Sequence, residues 1–250
     1  VKAILTGVVV AFQFLTVAPP LLRRMITPGE LGRSVAFFPL VGLAVGLLLN
    51  GLYWLLSAVF PEVLVAAMVV GVWIACSGAL HFDGFLDAVD GLLGGRTAED
   101  RMRILRDARV GAFAVAGGVT MLLLKFAAIG GIGSGALIAA PLLGRWVISL
   151  AVVLFPYARA EGLGREMKDN AGWPQAAGAS AISLAALVLL APSIGIAATF
   201  TAVVVVGLCA WLLIRFTLAR IPGLTGDVYG ALCEVGETVC IVTLAANWTL

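Results

Sequence analysis

Charge is scarce in this chain. Asp, Glu, Lys and Arg make up 12% of its 250 residues, about half the share usual in a soluble domain. Histidine occurs once, as His81, and the four cysteines (Cys76, Cys209, Cys233, Cys240) form no CxxC pair, so zinc spacing is absent. No P-loop and no GxGxxG run is present, which excludes the commonest nucleotide cradles. Repeats and low-complexity tracts are lacking too. What remains is apolar: 62% of residues are hydrophobic and the mean hydropathy is +1.10. At this length there is room for about seven to eight membrane-crossing helices joined by short loops. The fold class is therefore all-α, a polytopic helical bundle forming one transmembrane domain over residues 1–250. The cysteines lie in or beside apolar runs and read as small packing residues.

Residues 3–18 are apolar but short for a span, so they cross tilted, re-enter or lie at the interface. They lack a small-x-small cleavage site before Pro19-Pro20 and read as part of the mature protein. Further apolar runs cover residues 35–59, 62–80, 112–129, 135–155, 178–193, 197–214 and 229–247, with a Gly/Ser turn from Gly130 to Gly135 and a break at Ala191-Pro192-Ser193. Threading these runs puts the polar loops at 19–33, 92–111, 156–175 and 215–228 on one side. All of the sixteen Lys and Arg residues except Lys2 and Lys125 lie in or nearer to that side. The positive-inside rule makes it cytoplasmic. Acids have little part in topology, yet all but Glu62 gather there as well. An active site at the cytoplasmic face supplies a reason.

The densest chemistry follows the 62–80 run, in His81-Phe82-Asp83-Gly84-Phe85-Leu86-Asp87-Ala88-Val89-Asp90-Gly91. On a helix, Asp83, Asp87 and Asp90 fall within about 60° of one another. Three carboxylates on one stripe repel, and burying them unpaired costs several kcal/mol. They are a solvated helix end, half of a salt-bridge network with the loop arginines, or ligands of a divalent cation shared with phosphate oxygens. Gly84 and Gly91 remove bulk beside them, as close approach of a ligand or a second helix requires. His81 points about 160° away from Asp83 on a regular helix. It is either a packing residue or a base brought round by a helix break near Gly84.

Three further clusters carry charge. Asp107 and Arg109, before the 112–129 run, are interfacial anchors or a metal ligand beside an arginine that forks onto phosphate. Arg145 sits deep in its run and faces a polar cavity or partner unless it snorkels; Arg159 follows in the next loop, and Lys125 reads as snorkelling. Asp227, Glu234 and Glu237 share one helical side, and Glu237, inside a span, calls for Arg145 or Lys125 as partner. Carboxylates for a metal and arginines for phosphate point to phosphoryl- or nucleotidyl-type transfer at a membrane face.

HFDGFLDAVDG followed by RMRILRDARVGAFAV resembles the cobalamin synthase, or adenosylcobinamide-GDP ribazoletransferase, family, whose hallmark is H-x-D-G-x-x-D-x-x-D-G with a later D-x-R-x-G. The similarity continues in FLTVAPP, FFPLVGL, PYARAEGLG and LTGDVYGALCEVGE, so it covers nearly the whole chain in order. The resemblance implies attack of a ribose hydroxyl of α-ribazole, or its 5′-phosphate, on adenosylcobinamide-GDP with release of GMP. It also implies Mg²⁺ and a cytoplasmic (inner) membrane location. On that reading Asp83, Asp87 and Asp90 hold Mg²⁺ on the pyrophosphate, and Arg109, Arg145 and Arg159 stabilise the departing GMP. Glu234 and Glu237 belong to the substrate-binding set, and His81, Asp107 or Asp227 takes the hydroxyl proton.

A CDP-alcohol phosphotransferase also clusters aspartates in membrane helices, but its D-x-x-D-G-x-x-A-R pattern is not matched here. An ion-coupled transporter tends to show repeats and midplane charges, whereas these charges cluster at one face. The expected partners are the two substrates and the lipid bilayer, with no nucleic acid. Gly42 and Gly46 are spaced to allow helix–helix association into a homo-oligomer.

Overall fold

In the computed structural model, residues 2–132 and 134–246 are described. Gly133, in the predicted Gly/Ser turn, and residue 247, at the end of the last predicted run, lie outside them.

The apolar runs fold as helices because only a helix satisfies its own backbone in lipid. They are α1 (Lys2–Leu15), α2 (Pro28–Ser34), α3 (Phe38–Ser57), α4 (Glu62–Cys76), α5 (Leu80–Gly94) and α6 (Ala98–Ile104). The second half comprises α7 (Ala112–Ile129), α8 (Ser134–Leu154), α9 (Leu163–Asn170), α10 (Trp173–Ile194), α11 (Ile196–Leu218) and α12 (Gly226–Leu244). Among the described residues there is no strand, only one isolated bridge between Tyr157 and Leu224. Among the described residues five helices are long and apolar enough to cross a bilayer, or six if the bent pair α4–α5 counts as one span. Two of the expected seven to eight segments, α1 and α12, fall outside that count for physical reasons. With 14 residues, α1 is about 21 Å long against a core of about 30 Å, and α12 carries Asp227, Glu234 and Glu237.

Short helices occupy three of the polar loops. Thr27 and Glu30 form a capping box that starts α2, and α2 packs on α9 so closely that a Cβ at Gly32 would strike the Asn170 backbone. The predicted break at Ala191-Pro192-Ser193 is displaced. Proline is absorbed in the last turn of α10, and the chain turns at Gly195, whose φ of +99° suits glycine.

The centre of the bundle is α12, which contacts α5, α7, α8 and α11 and is buried along most of its length. The other main seam joins α3 to α8. A Cβ at Gly42 would collide with the carbonyl of Pro141, and one at Gly46 with Ile138. The glycine pair expected to serve association between copies is thus used inside the chain, where small residues let two backbones meet.

Charged side chains hold the middle of the bundle. Lys125 Nζ donates to Glu234 Oε2 at 2.7 Å and Glu237 Oε2 at 2.6 Å, and lies 4.4 Å from the Trp73 ring centroid. The other oxygen of Glu237 pairs with Arg145. All four charged residues are buried. Lys125 therefore does not snorkel, because two carboxylates and an aromatic face replace the water it would otherwise seek.

Candidate active site

The site begins at a bend. Instead of one run from 62 into the aspartates, α4 stops at Cys76 and the chain turns through Gly78 (φ +59°) and Ala79 (φ +60°). The left-handed alanine costs roughly 1–2 kcal/mol, and α5 leaves at 88° to α4. The break precedes His81 rather than lying near Gly84. It places the first turn of α5 beside the first turn of α12. Glycines allow that approach: a Cβ at Gly84 would lie 3.1 Å from the Asp227 carbonyl, and one at Gly230 2.9 Å from the His81 carbonyl.

The loop after α8 completes the polar side. Ala158 N–H donates to Leu224 O, and Leu224 N–H to Pro156 O, both at 2.8 Å. This short pairing aims Arg159 at Asp227, with Nη2 to Oδ2 at 2.5 Å. The same Nη2 donates to Leu105 O at 3.1 Å, and the buried Nε–H has no partner. Asp227 also accepts from the Thr225 hydroxyl, and Thr225 caps α12 through Val228 N–H.

These elements enclose a cavity of about 320 Å³. Asp83, Arg159, Glu161 and Asp227 form its polar lining; Phe14, Leu15, Phe38, Ile148 and Met167 form its apolar lining. His81 lines it too, 3% exposed, with Nε2 unpartnered. A helical wheel separates His81 from Asp83, but the cavity wraps the first turn of α5 and touches both.

The aspartate stripe divides. Asp83 is exposed and Asp87 half-buried, and neither makes a hydrogen bond or ion pair with a described residue. The carboxyl of Asp87 is within electrostatic reach of Asp83, Asp227, Arg159 and Asp90. Asp90 is buried and turned to α7, accepting from Gly111 N–H at 2.5 Å and Ala114 N–H at 2.8 Å. It caps that helix from outside, and a Cβ at Gly111 would strike its carboxylate. Hydrogen bonds to a charged acceptor contribute about 1.5–3 kcal/mol. Asp90→Ala is therefore expected to lower stability by about that amount, seen as faster amide exchange across the first turn of α7.

The remaining predicted residues fall into two groups. Asp107 and Arg109 lie together on the exposed connection into α7, where Asp107 accepts from the guanidinium at 2.6 and 2.9 Å. Those hydrogen bonds hold its carboxyl down at about 2, so it stays ionised and is a weak proton acceptor at neutral pH. This connection is pinned at one end by Leu105 to Arg159 and at the other by Gly111 to Asp90. Arg145, Glu234 and Glu237 do not line the cavity; they form the buried network behind it, with Arg145 within electrostatic reach of His81. Sequence reasoning left out Tyr157, Glu161 and Tyr229, all of which line the cavity. Their only sequence signal was membership of PYARAEGLG and LTGDVYG.

Among the described residues no three His, Cys, Asp or Glu side chains converge as a ready-made metal cluster. The unpartnered Asp83 and Asp87 nevertheless suit a hard cation of the Mg²⁺ type, which keeps several waters and binds through one or two carboxylates plus substrate phosphates.

A bundle of apolar helices that gathers acids and an arginine around one largely apolar cavity defines a polytopic helical membrane protein. The family model described as cobalamin-5-phosphate synthase matches residues 7–245. An adenosylcobinamide-GDP ribazoletransferase of Pseudomonas paraeruginosa is 39% identical over 246 residues, 96% of this chain and 98% of that protein. Proteins of the same name from Pseudomonas savastanoi pv. phaseolicola and Roseiflexus sp. are 40% and 34% identical, covering 94% and 95% of this chain and 97% and 88% of their own lengths. No solved structure matches. The chain belongs to the cobalamin-5-phosphate synthase family and is a transferase.

Proposed function

We propose that the cavity catalyses displacement of GMP from adenosylcobinamide-GDP by a ribose hydroxyl of α-ribazole or its 5′-phosphate. The new bond joins the ribose oxygen to the phosphorus that carries the cobinamide, and the pyrophosphate bridge breaks. The observation that carries this reading is the meeting of Asp83, Asp87 and Asp227 with Arg159 where α5 and α12 touch.

Each residue has a role set by its surroundings. Asp83 and Asp87 hold Mg²⁺, which supplies charge neutralisation on the pyrophosphate. Arg159 presents its unpartnered Nε–H to an anionic oxygen. Asp227, fixed by Arg159 and Thr225, accepts the hydroxyl proton. Arg109 sits on a connection anchored at both ends to the site, from where its guanidinium reaches the leaving GMP. Asp90 supports the stripe through α7, and Arg145, Glu234 and Glu237 support it from behind.

The gathering of Lys and Arg on the loops around the cavity mouth supports a cytoplasmic orientation in a bacterial inner membrane. The test is GMP release by the purified protein in nanodiscs, given both substrates and Mg²⁺. Release that stops on adding EDTA and returns with excess Mg²⁺ is the expected result. Full release in EDTA overturns the metal assignment.

A further inference from the structure

Outside the candidate active site, the bundle is left open along α8. Two apolar hollows, of about 400 and 110 Å³, follow one another along that helix and share Trp146. Their opposite wall is α11, where Ile196, Phe200 and Val203 line the first and Gly207, Ala210 and Ile214 the second. Those six residues fall on a single helical face, so the two hollows are one fissure. Neighbouring helices normally close to 8–10 Å, but α11 packs on α12 and barely touches α8. The fissure asks for no polar ligand. Trp146 Nε1–H donates to Ser180 Oγ at 3.0 Å, and the Ser183 and Thr199 hydroxyls donate to the Ala179 and Gly195 carbonyls. It is open space, since a Cβ at Gly207 would meet nothing within 4 Å. Left empty, its walls forfeit their dispersion contacts.

Charge at one end of the fissure identifies what fills it. Arg215 follows Ile214 and is exposed, one turn beyond the exposed Trp211. Lys168 Nζ donates to Val153 O at 2.8 Å, which sets its ammonium beside the backbone of Leu154, another lining residue. Neither cation forms an ion pair with a described residue. Basic groups and an aromatic ring at the end of a span belong at headgroup level, where anionic lipids attract them. From Arg215 back to Val203 the helix rises ~18 Å, close to about 15 Å, half of the hydrocarbon core. We propose that the fissure binds an anionic phospholipid from the leaflet on the side of the polar loops. Its headgroup lies between Arg215 and Lys168, and one acyl chain runs past Trp146 into the larger hollow. A helix of a second copy, about 10 Å across with its side chains, is too wide for the smaller hollow. The bound chain wedges α11 against α8 and so braces α12, the helix that carries Asp227.

The test is lipid binding to the purified full-length protein in detergent, followed by native mass spectrometry during titration with phosphatidylglycerol or phosphatidylcholine. The wild type is expected to hold one phosphatidylglycerol at least about fivefold more tightly than phosphatidylcholine, and to unfold at higher temperature with it bound. Arg215→Gln removes one basic contact with the headgroup and should weaken phosphatidylglycerol about fivefold. Its thermal midpoint without lipid should match the wild type. Gly207→Leu grows into the gap and should abolish binding, while its midpoint without lipid falls no lower than that of the wild type. Those midpoints also show that both variants are folded. Equal affinity for the two lipids, undiminished binding in Gly207→Leu, or a stable dimer in place of bound lipid overturns the site.

Discussion

Asp83→Asn is expected to reduce GMP release by about a thousandfold or more while the thermal midpoint of the protein stays unchanged. The two outcomes separate because of what Asp83 touches. It is exposed at the cavity and makes no hydrogen bond or ion pair with a described residue, so its amide leaves no buried group orphaned. On the proposed reaction its value lies in its charge, set beside Asp87 on a cavity shared with Arg159 and Asp227, which would act on a bound cation and phosphate. Initial rates at saturating Mg²⁺, with thermal unfolding in detergent as the companion measurement, check this. An Asp83→Asn protein with near wild-type turnover contradicts the metal-holding role.

Glu237→Gln is expected to act the other way, on stability first. Glu237 is the shared anion of the interior network: one oxygen serves Lys125 and the other Arg145, whose only ion pair among the described residues is this one. Two cations and two carboxylates balance there, far from water. Removing one charge leaves a buried guanidinium uncompensated, a loss of about 3–5 kcal/mol. Removing an opposite pair is a different experiment. Lys125→Met with Glu234→Leu keeps the Arg145–Glu237 pair and puts apolar volume in place of the rest, which by the same physics is close to neutral. The single variant should therefore unfold at markedly lower temperature than the double variant. A double variant as damaged as Glu237→Gln would show that the network is held by something other than charge balance.

The parts of this architecture that were legible in the sequence are those set by local periodicity. Apolar runs became α3, α7, α8, α10 and α11 within a few residues, because a span is a length and a composition. The aspartate spacing was legible for the same reason: α5 is regular, and Asp83 and Asp87 do lie together. Glu237 demanded a cation because a lone acid in a span is costly, and both candidates pair with it.

What was not legible depends on contacts between distant residues. Ser77-Gly78 is a turn signal, but nothing local sets its angle of 88° inside an apolar run, and a left-handed alanine is tolerated only where packing imposes it. The partners of Lys125 lie 109 and 112 residues away, and the helix that Asp90 caps begins more than twenty residues beyond it. Short helices such as α2 and α9 looked like loop because seven or eight mostly polar residues are too few to display a helical period. Tyr229 looked like one residue of a motif until its hydroxyl was found buried without a partner.

The central claim is that the meeting point of α5 and α12 is where GMP is displaced by a ribazole hydroxyl. The most direct measurement follows both products from the purified wild-type protein supplied with adenosylcobinamide-GDP, α-ribazole and Mg²⁺. One GMP should appear for each nucleotide-joined cobamide formed, none without α-ribazole, and the phosphorus next to cobinamide should remain in the cobamide. GMP release in the absence of α-ribazole, or a product that lacks that phosphorus, would contradict it.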